Sequence, residues 1–369
     1  MSHVARKVSS PPGLTIEYLV NALLKFGASD LHIKVGRPPC FRIDGKLVPA
    51  KIPPLSKETV EQLLYSILTE RHIEELEQRW QVDASFRLTD IGRFRCNVYR
   101  QRNTLSAAIR MIPFQIPRFE DLGVPVALKQ LALRDNGLLL VTGPTGSGKS
   151  TTLAAIVQYL NETQPIHILS IEDPIEYVFR DLKASVTQRE VGSDTRSIEE
   201  ALHAGLRQDP DVIVVGEMRD YETIRVALTA AETGHLVLST LHTPDARGAI
   251  ERILDVVPAQ IQNQVRIQLS TCLVGVLAQQ LLVRSGTEGR VLATEVMVNS
   301  PAIASAIAEN ELDRIAALME SSNDYYQMQT LNQSLRQLVE SGSITLKEAL
   351  RVSPRPEELE QLLSGIVRD

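Results

Sequence analysis

Two domains of unequal size are expected, a small α+β domain followed by a larger α/β domain built around a parallel sheet. Three observations predict this. A chain of 369 residues is long for a single core. Residues 14–112 mix helical periodicity with strands of alternating polarity, whereas from residue 126 short apolar runs alternate with helix-length segments. Between the two patterns, Pro113, Pro117 and Pro125 punctuate a linker over 113–125.

Residues 1–13 read as a flexible tail, and Leu14–Phe26 carries a helical pattern. Ser29–Lys34 and Cys40–Val48 alternate like strands, with Asp44-Gly45 as a hairpin turn. Lys57–Arg79 reads as one helix that places Leu63, Leu64, Ile67 and Leu68 on one face. Ser85–Leu88, Gly92–Arg100 and Thr104–Met111 are further strands. Beyond the linker, Leu138–Thr142, Ile166–Ile171, Asp211–Val215 and His235–Leu241 are short, strongly apolar strands separated by helical stretches, the rhythm of a parallel sheet with helices on both faces. Ile267–Val283, between Arg266 and Arg284, is the most membrane-like stretch. Gln268, Ser270, Gln279 and Gln280 interrupt it, and it falls short of the ~20 apolar residues of a span, so it is expected to be a buried helix. From Pro301 the chain reads as several short helices, so the larger domain, 126–369, ends in a helical region over about 301–369.

Composition narrows the function classes. Hydrophobic residues make up 43%, enough for packed cores and against wholesale disorder. The net charge of -6 and the 4% aromatic content argue against a protein that coats or stacks on nucleic acid. MSHVARKVSSPPG has no apolar core of an export signal, which points to a cytoplasmic protein. Cys40, Cys96 and Cys272 lie far apart and form no CxxC pair, so buried free thiols are expected rather than a zinc site.

The chemistry is concentrated in one segment. Gly143-Pro144-Thr145-Gly146-Ser147-Gly148-Lys149-Ser150 fits the phosphate-binding pattern GxxxxGK[ST], with Thr151 following. A strand, Leu138–Val141, leads in and a helix-compatible run, Thr151–Leu160, leads out, which is the context the pattern requires. Glycines let backbone N–H groups converge on phosphates, and the helix N-terminus adds positive partial charge. Lys149 is expected to reach the β- and γ-phosphates of ATP, and the Ser150 hydroxyl to ligate Mg2+. Asp211–Val215, followed by Gly216 and Glu217, has the form of a strand ending in a carboxylate that acts on magnesium directly or through its water shell. Glu172, Asp173 or Glu176, after another strand, could deprotonate the attacking water, and spacing does not choose among them. His235 and His242 bracket a strand and would face opposite sides of it, so a shared metal is not the natural reading; each is a γ-phosphate sensor or a satisfied polar group.

Together these residues resemble the hexameric secretion ATPases, and within them the PilT-type motors that retract type IV pili. The resemblance spans about residues 14–350 and rests on Ala28–Leu47, Gly92–Gln101, Gly143–Thr151, Ile168–Phe179, Gln188–Gly192, Leu206–Asp220, Thr233–Thr243 and Gln327–Leu335. It implies a PAS-like N-terminal domain, a RecA-like P-loop ATPase domain and a homohexameric ring with ATP between subunits. It further implies that Glu176 is the catalytic base, Glu217 the Walker B glutamate, and His235 and His242 the histidine box. Among Arg93, Arg95 and Arg110, it matches Arg95 and Arg110 to arginines that complete the site. A guanidinium there would neutralise charge on the transferring phosphoryl group.

The implied work is pilus retraction and twitching motility, passed to an inner-membrane platform protein by a motor peripheral to that membrane. A paralogous motor ATPase is a further possible partner, membrane contact runs through partners alone, and no nucleic acid is expected. Neither the extra N-terminal sequence nor the four-cysteine module of extension and type II secretion ATPases is present. The chain departs from the retraction branch at Ala302–Glu309, AIASAIAE, where Ala304, Ser305 and Ala308 replace the charged and amide residues of that branch's AIRNLIRE-like motif. That departure keeps an accessory nucleotide-binding subunit as the alternative, ahead of a nucleic-acid translocase.

Overall fold

A computed structural model describes residues 14–43, 45–89, 91–112, 116–286 and 289–364 (of 323 and 324, the backbone only). The expected tail at 1–13, Asp44 of the expected hairpin turn and Pro113 of the expected linker lie outside the described residues. The chain divides into two compact units, Met1–Phe114 and Gln115–Asp369.

The smaller unit runs α1 (Ile16–Lys25), β1 (Asp30–Lys34), β2 (Cys40–Ile43), β3 (Lys46–Pro49), α2 (Lys57–Tyr65), α3 (Glu70–Arg79), β4 (Gln81–Leu88), β5 (Gly92–Gln101) and β6 (Thr104–Ile112). Its six strands form one sheet in the order β3-β2-β1-β6-β5-β4, antiparallel throughout. Period-2 alternation gives the sheet one apolar face, where Phe94, Val98 and Ile109 meet Leu19 and Leu23 of α1 and Val60 and Leu64 of α2. Lys57–Arg79 is two helices rather than one. Thr69 stops the first run by starting a second, its hydroxyl accepting the His72 N–H while His72 accepts the Thr69 N–H, a reciprocal cap a continuous helix could not make.

The larger unit begins with a short 3-10 turn at Phe119–Leu122, whose Phe119 is buried beside Tyr159. It continues with α4 (Ala127–Ala132), β7 (Gly137–Thr142), α5 (Lys149–Thr163), β8 (His167–Glu172), β9 (Ser185–Glu190), α6 (Ile198–Gly205), β10 (Val212–Val215), α7 (Tyr221–Glu232), β11 (Leu236–Leu241), α8 (Ala246–Asp255) and α9 (Gln262–Cys272). Then come β12 (Leu273–Val283), β13 (Arg290–Val298), α10 (Pro301–Ala308), α11 (Ile315–Ser321), α12 (Asn323–Tyr326), α13 (Leu331–Glu340), α14 (Leu346–Val352) and α15 (Pro356–Ser364). The sheet order is β13-β12-β7-β11-β10-β8-β9, parallel except for β13. Both faces are covered, so the central strands are buried along their whole length and read as unbroken apolar runs.

Three strands, β9, β12 and β13, were not foreseen, and one expected helix is not there. Ile267–Val283 is not a single buried helix: α9 ends at Cys272 and Leu273–Val283 is strand β12. A fully buried apolar run has no polar face to reveal its period, so helix and strand look alike in sequence. Pairing decides, because β12 lies between β7 and β13 and its backbone groups bond to both. β9 follows β8 with no intervening helix, its polar sequence SVTQRE suiting an edge position. From Pro301 the described residues form several short helices, as expected, joined by turns and by a bridge from Gln329 to Val296. Cys40, Cys96 and Cys272 are free and buried, and burial pushes the Cys96 and Cys272 thiols up to about 12.

Candidate functional site

The site lies at the carboxyl ends of β7, β8, β10 and β11, where parallel strands leave a crevice. β7 stops at Thr142, and the loop from Gly143 turns the chain into α5. Gly143 has φ 145°, and a Cβ there would lie 2.3 Å from the Gln279 carbonyl oxygen, so only glycine fits. Gly148, at φ 91°, is the N-cap of α5 and supplies no side-chain cap, whereas Asp220 and Asp245 cap α7 and α8 with their carboxylates. The first-turn N–H groups of α5 are therefore left for something other than its own side chains.

Lys149 folds back over this loop. Its Nζ donates to the carbonyls of Gly143 (2.8 Å) and Pro144 (3.1 Å), and burial lowers its pKa against the opposing charges of Glu217 and Glu176. Those two carboxylates come from separate places, the loop after β8 and the end of β10, and both are felt at the same ammonium. Buried and without partners nearby are the hydroxyls of Thr142, Ser147 and Thr243 and the Gln279 carboxamide oxygen. Unpaired buried polar atoms beside a glycine cradle suit a polar, anionic ligand with its metal ion.

The carboxylates of the acidic cluster differ in their surroundings. Glu172 accepts from Ser170 Oγ (2.5 Å), the Glu176 N–H (3.2 Å) and Gln188 Nε2 (3.2 Å), and burial raises its pKa against these bonds. It is spent on holding the loop. Glu176 is exposed, with only its backbone tied down. Glu190 of β9 accepts from the Ile175 N–H (3.0 Å), and Tyr177 meets the Thr151 hydroxyl (2.9 Å), fastening the loop to the edge strand and to α5. Asp173 and Pro174 are joined by a cis peptide bond.

Glu217 is engaged on both oxygens, by Arg219 Nε (2.8 Å) and by His242 Nε2 (3.4 Å). The two histidines part company. His242 follows β11 at the site, while His235 precedes it, at the opposite edge of the sheet, with Nδ1 3.0 Å from the Ala230 carbonyl. A six-residue strand separates them by about 20 Å, so this chain does not bring His235 to its own loop. Ser150 and Thr151 lie in the first turn of α5, and Pro144, Thr145, Gly146, Ser147 and Gly148 form the loop itself.

Arg95 and Arg110 belong to the smaller unit, where they are cross-strand neighbours on β5 and β6. Arg110 Nε donates to Asp30 (2.8 Å), while Arg95 lies 3.8 Å from Asp83. Burial pushes the Asp30 carboxyl up, but hydrogen bonds from Ser29 and Arg110 and the Arg110 charge outweigh it and hold it below the usual range. Arg93 donates to Ser85 Oγ (3.0 Å).

Sequence reading missed Gln188, Glu190 and Gln279, which position the two loops. The one signal available was Gln279 itself, an amide inside an apolar run, which must find a partner if buried.

The model of the type II/IV secretion system protein family matches residues 9–351 of this sequence. The chain belongs to that family. Among secretion-family relatives, it is 45% identical over 333 residues to the type IV pilus retraction ATPase PilT of Pseudomonas aeruginosa, covering 90% of this chain and 96% of that one. It is 41% identical over 337 residues to the type IV pilus ATPase PilU of the same organism, covering 91% and 88%. A crystal structure of the pilus retraction motor PilT with bound ADP superposes with a TM-score of 0.88 at 49% identity, covering 94% of this chain and 99% of that one. Among the described residues no helix is long and apolar enough to cross a membrane.

Proposed function

We propose that this chain is an ATP-hydrolysing motor that drives type IV pilus retraction, and with it twitching motility. The observation that carries the reading is a loop whose glycines admit phosphates, with Lys149 folded over it and Glu176 and Glu217 following β8 and β10 at the same end of the parallel sheet. The likeness to a retraction ATPase along nearly the whole chain supports the direction of work.

In this reading the loop Gly143–Ser150 and Thr151 hold ATP, and Lys149 exchanges its two loop carbonyls for phosphate oxygens. Ser150 and Glu217 would hold Mg2+, Glu217 directly or through water. The bound ion would neutralise charge on the β- and γ-phosphates. Glu176, exposed and close to Lys149, takes the proton of the attacking water. His242 fixes the Glu217 carboxylate from one side and Arg219 from the other. Arg95 and Arg110 complete the site across a homohexameric ring, and the ring passes domain movement to a platform protein at the cytoplasmic face of the inner membrane. Steady-state hydrolysis by wild type and by Glu176→Gln tests the core of this. The variant should keep nucleotide and lose turnover by ~100-fold or more; equal rates would refute it. Deletion in the source organism, scored for pilus retraction, tests the direction.

One observation favours a second reading, an accessory subunit of a pilus motor. On α10 the buried residues are Ile303, Ala306 and Ile307, so Ala304, Ser305 and Ala308 lie away from the core. Those three departures from the retraction pattern therefore fall at exposed or half-buried positions of α10. Slow hydrolysis by the wild type alone, raised by a paralogous ATPase, would favour it.

A further inference from the structure

We propose that Gln279 is a positioning residue for the phosphate loop, holding the Ser147–Gly148 peptide so that the Gly148 N–H faces the loop's concave side. The inference deepens the nucleotide-binding reading above and rests on it.

Gln279 reaches the loop at three points. It sits on β12 one residue beyond Ala278, which pairs with Thr142, so its backbone flanks Gly143. Its carbonyl oxygen lies 2.3 Å from where a Gly143 Cβ would stand. Its side-chain nitrogen donates to the Ser147 carbonyl at 2.8 Å and lies 3.3 Å from where a Gly148 Cβ would stand. A carbonyl can only accept, so the amide nitrogen must face Ser147. In a planar trans peptide the C=O and the next N–H point in opposite directions. Pinning the Ser147 carbonyl towards β12 therefore turns the Gly148 N–H away from β12.

The other half of the amide argues that this is positioning rather than packing. Gln279 is 1% exposed, and its Oε1 has no partner. A buried, half-satisfied amide is a poor way to stabilise a core, where an apolar side chain of the same length would avoid the penalty. What the amide contributes is direction for one peptide.

The test compares wild type with Gln279→Met, which keeps length and removes the donor, and Gln279→Glu, which keeps shape and places an acceptor against the Ser147 carbonyl. Two quantities are read on the full chain: the Kd of Mg-ADP by calorimetry and the thermal midpoint without nucleotide. Gln279→Met should bind on the order of tenfold more weakly with an unchanged or higher midpoint, and its KM for ATP should rise more than its kcat falls. Gln279→Glu should bind more weakly still. Binding by Gln279→Met within about twofold of wild type would overturn the proposal. So would a midpoint that falls together with affinity, or a variant that does not fold, since either marks the amide as packing. Lys149→Ala run alongside separates the two levels: if it too binds normally, the phosphate-loop reading fails; if it alone loses nucleotide, only the role of Gln279 fails.

Discussion

In the proposed mechanism, surroundings divide the labour of two like residues, Glu217 and Glu176. Glu217 is held by Arg219 and His242, which orients its carboxylate, as the proposed metal-side role requires. Glu176 has a tethered backbone and an exposed side chain, as a base needs if it is to move with its proton. The histidines divide in the same way. Replacing His242 with Ala should cut kcat roughly tenfold, the scale of losing one charge-assisted bond at the site. Replacing His235 with Ala should leave the kcat of isolated active sites close to wild type. Turnover of the two variants, measured side by side, checks the division, and equal losses would contradict it.

At the scale of elements, one buried carboxylate, Glu295, ties β13 to the start of α8, beside the Ser334 and Gln329 bonds that hold the helical C-terminal region to the same strand. Glu295 of β13 accepts the Ala246 N–H at 2.8 Å, at the start of α8. Burial pushes its pKa up to about 7, reinforced by Asp245 and opposed by that N–H and by Arg355. A raised folded-state pKa means the folded protein binds the proton more tightly than the unfolded chain. Its contribution is thus complete below about pH 4.5 and is lost as pH rises through about 7, by about 3 kcal/mol in all. Glu295→Gln keeps an acceptor for Ala246 and removes the titration. Its unfolding free energy should vary less between pH 5 and 8 than that of wild type, in denaturant titrations at each pH. The loop between β7 and α5 carries a second element-scale prediction. Gly143→Ala would drive a Cβ against the Gln279 carbonyl of β12, so nucleotide binding should be lost along with ~2 kcal/mol or more of stability, by calorimetry and urea unfolding.

For the whole molecule, the ring reading predicts that sites are shared. Arg110→Ala should lower turnover more than nucleotide affinity, and mixing it with Lys149→Ala should restore part of the activity, because each defect leaves the other residue intact in a neighbour. Strict absence of complementation in mixed assemblies would oppose trans-acting arginines.

How much of this was legible without coordinates follows from how local each feature is. The phosphate loop is eight consecutive residues whose conformation is set by its own glycines, so Gly143–Ser150 could be read directly, as could the short strands on either side. Gln279 acts on Ser147 across 132 positions, and Gln188 and Glu190 reach the acidic loop only because β9 pairs with β8. Nothing local announces those contacts. The hydrogen bonds that occupy Glu172 and leave the Glu176 side chain exposed, and the distance between His235 and His242 along β11, likewise come from the folded chain. The sequence by itself determined the chemistry of the loop and the alternation that builds the sheet. Tertiary structure alone decided that Leu273–Val283 is a strand, because an apolar run buried on every side takes its conformation from the neighbours that satisfy its backbone.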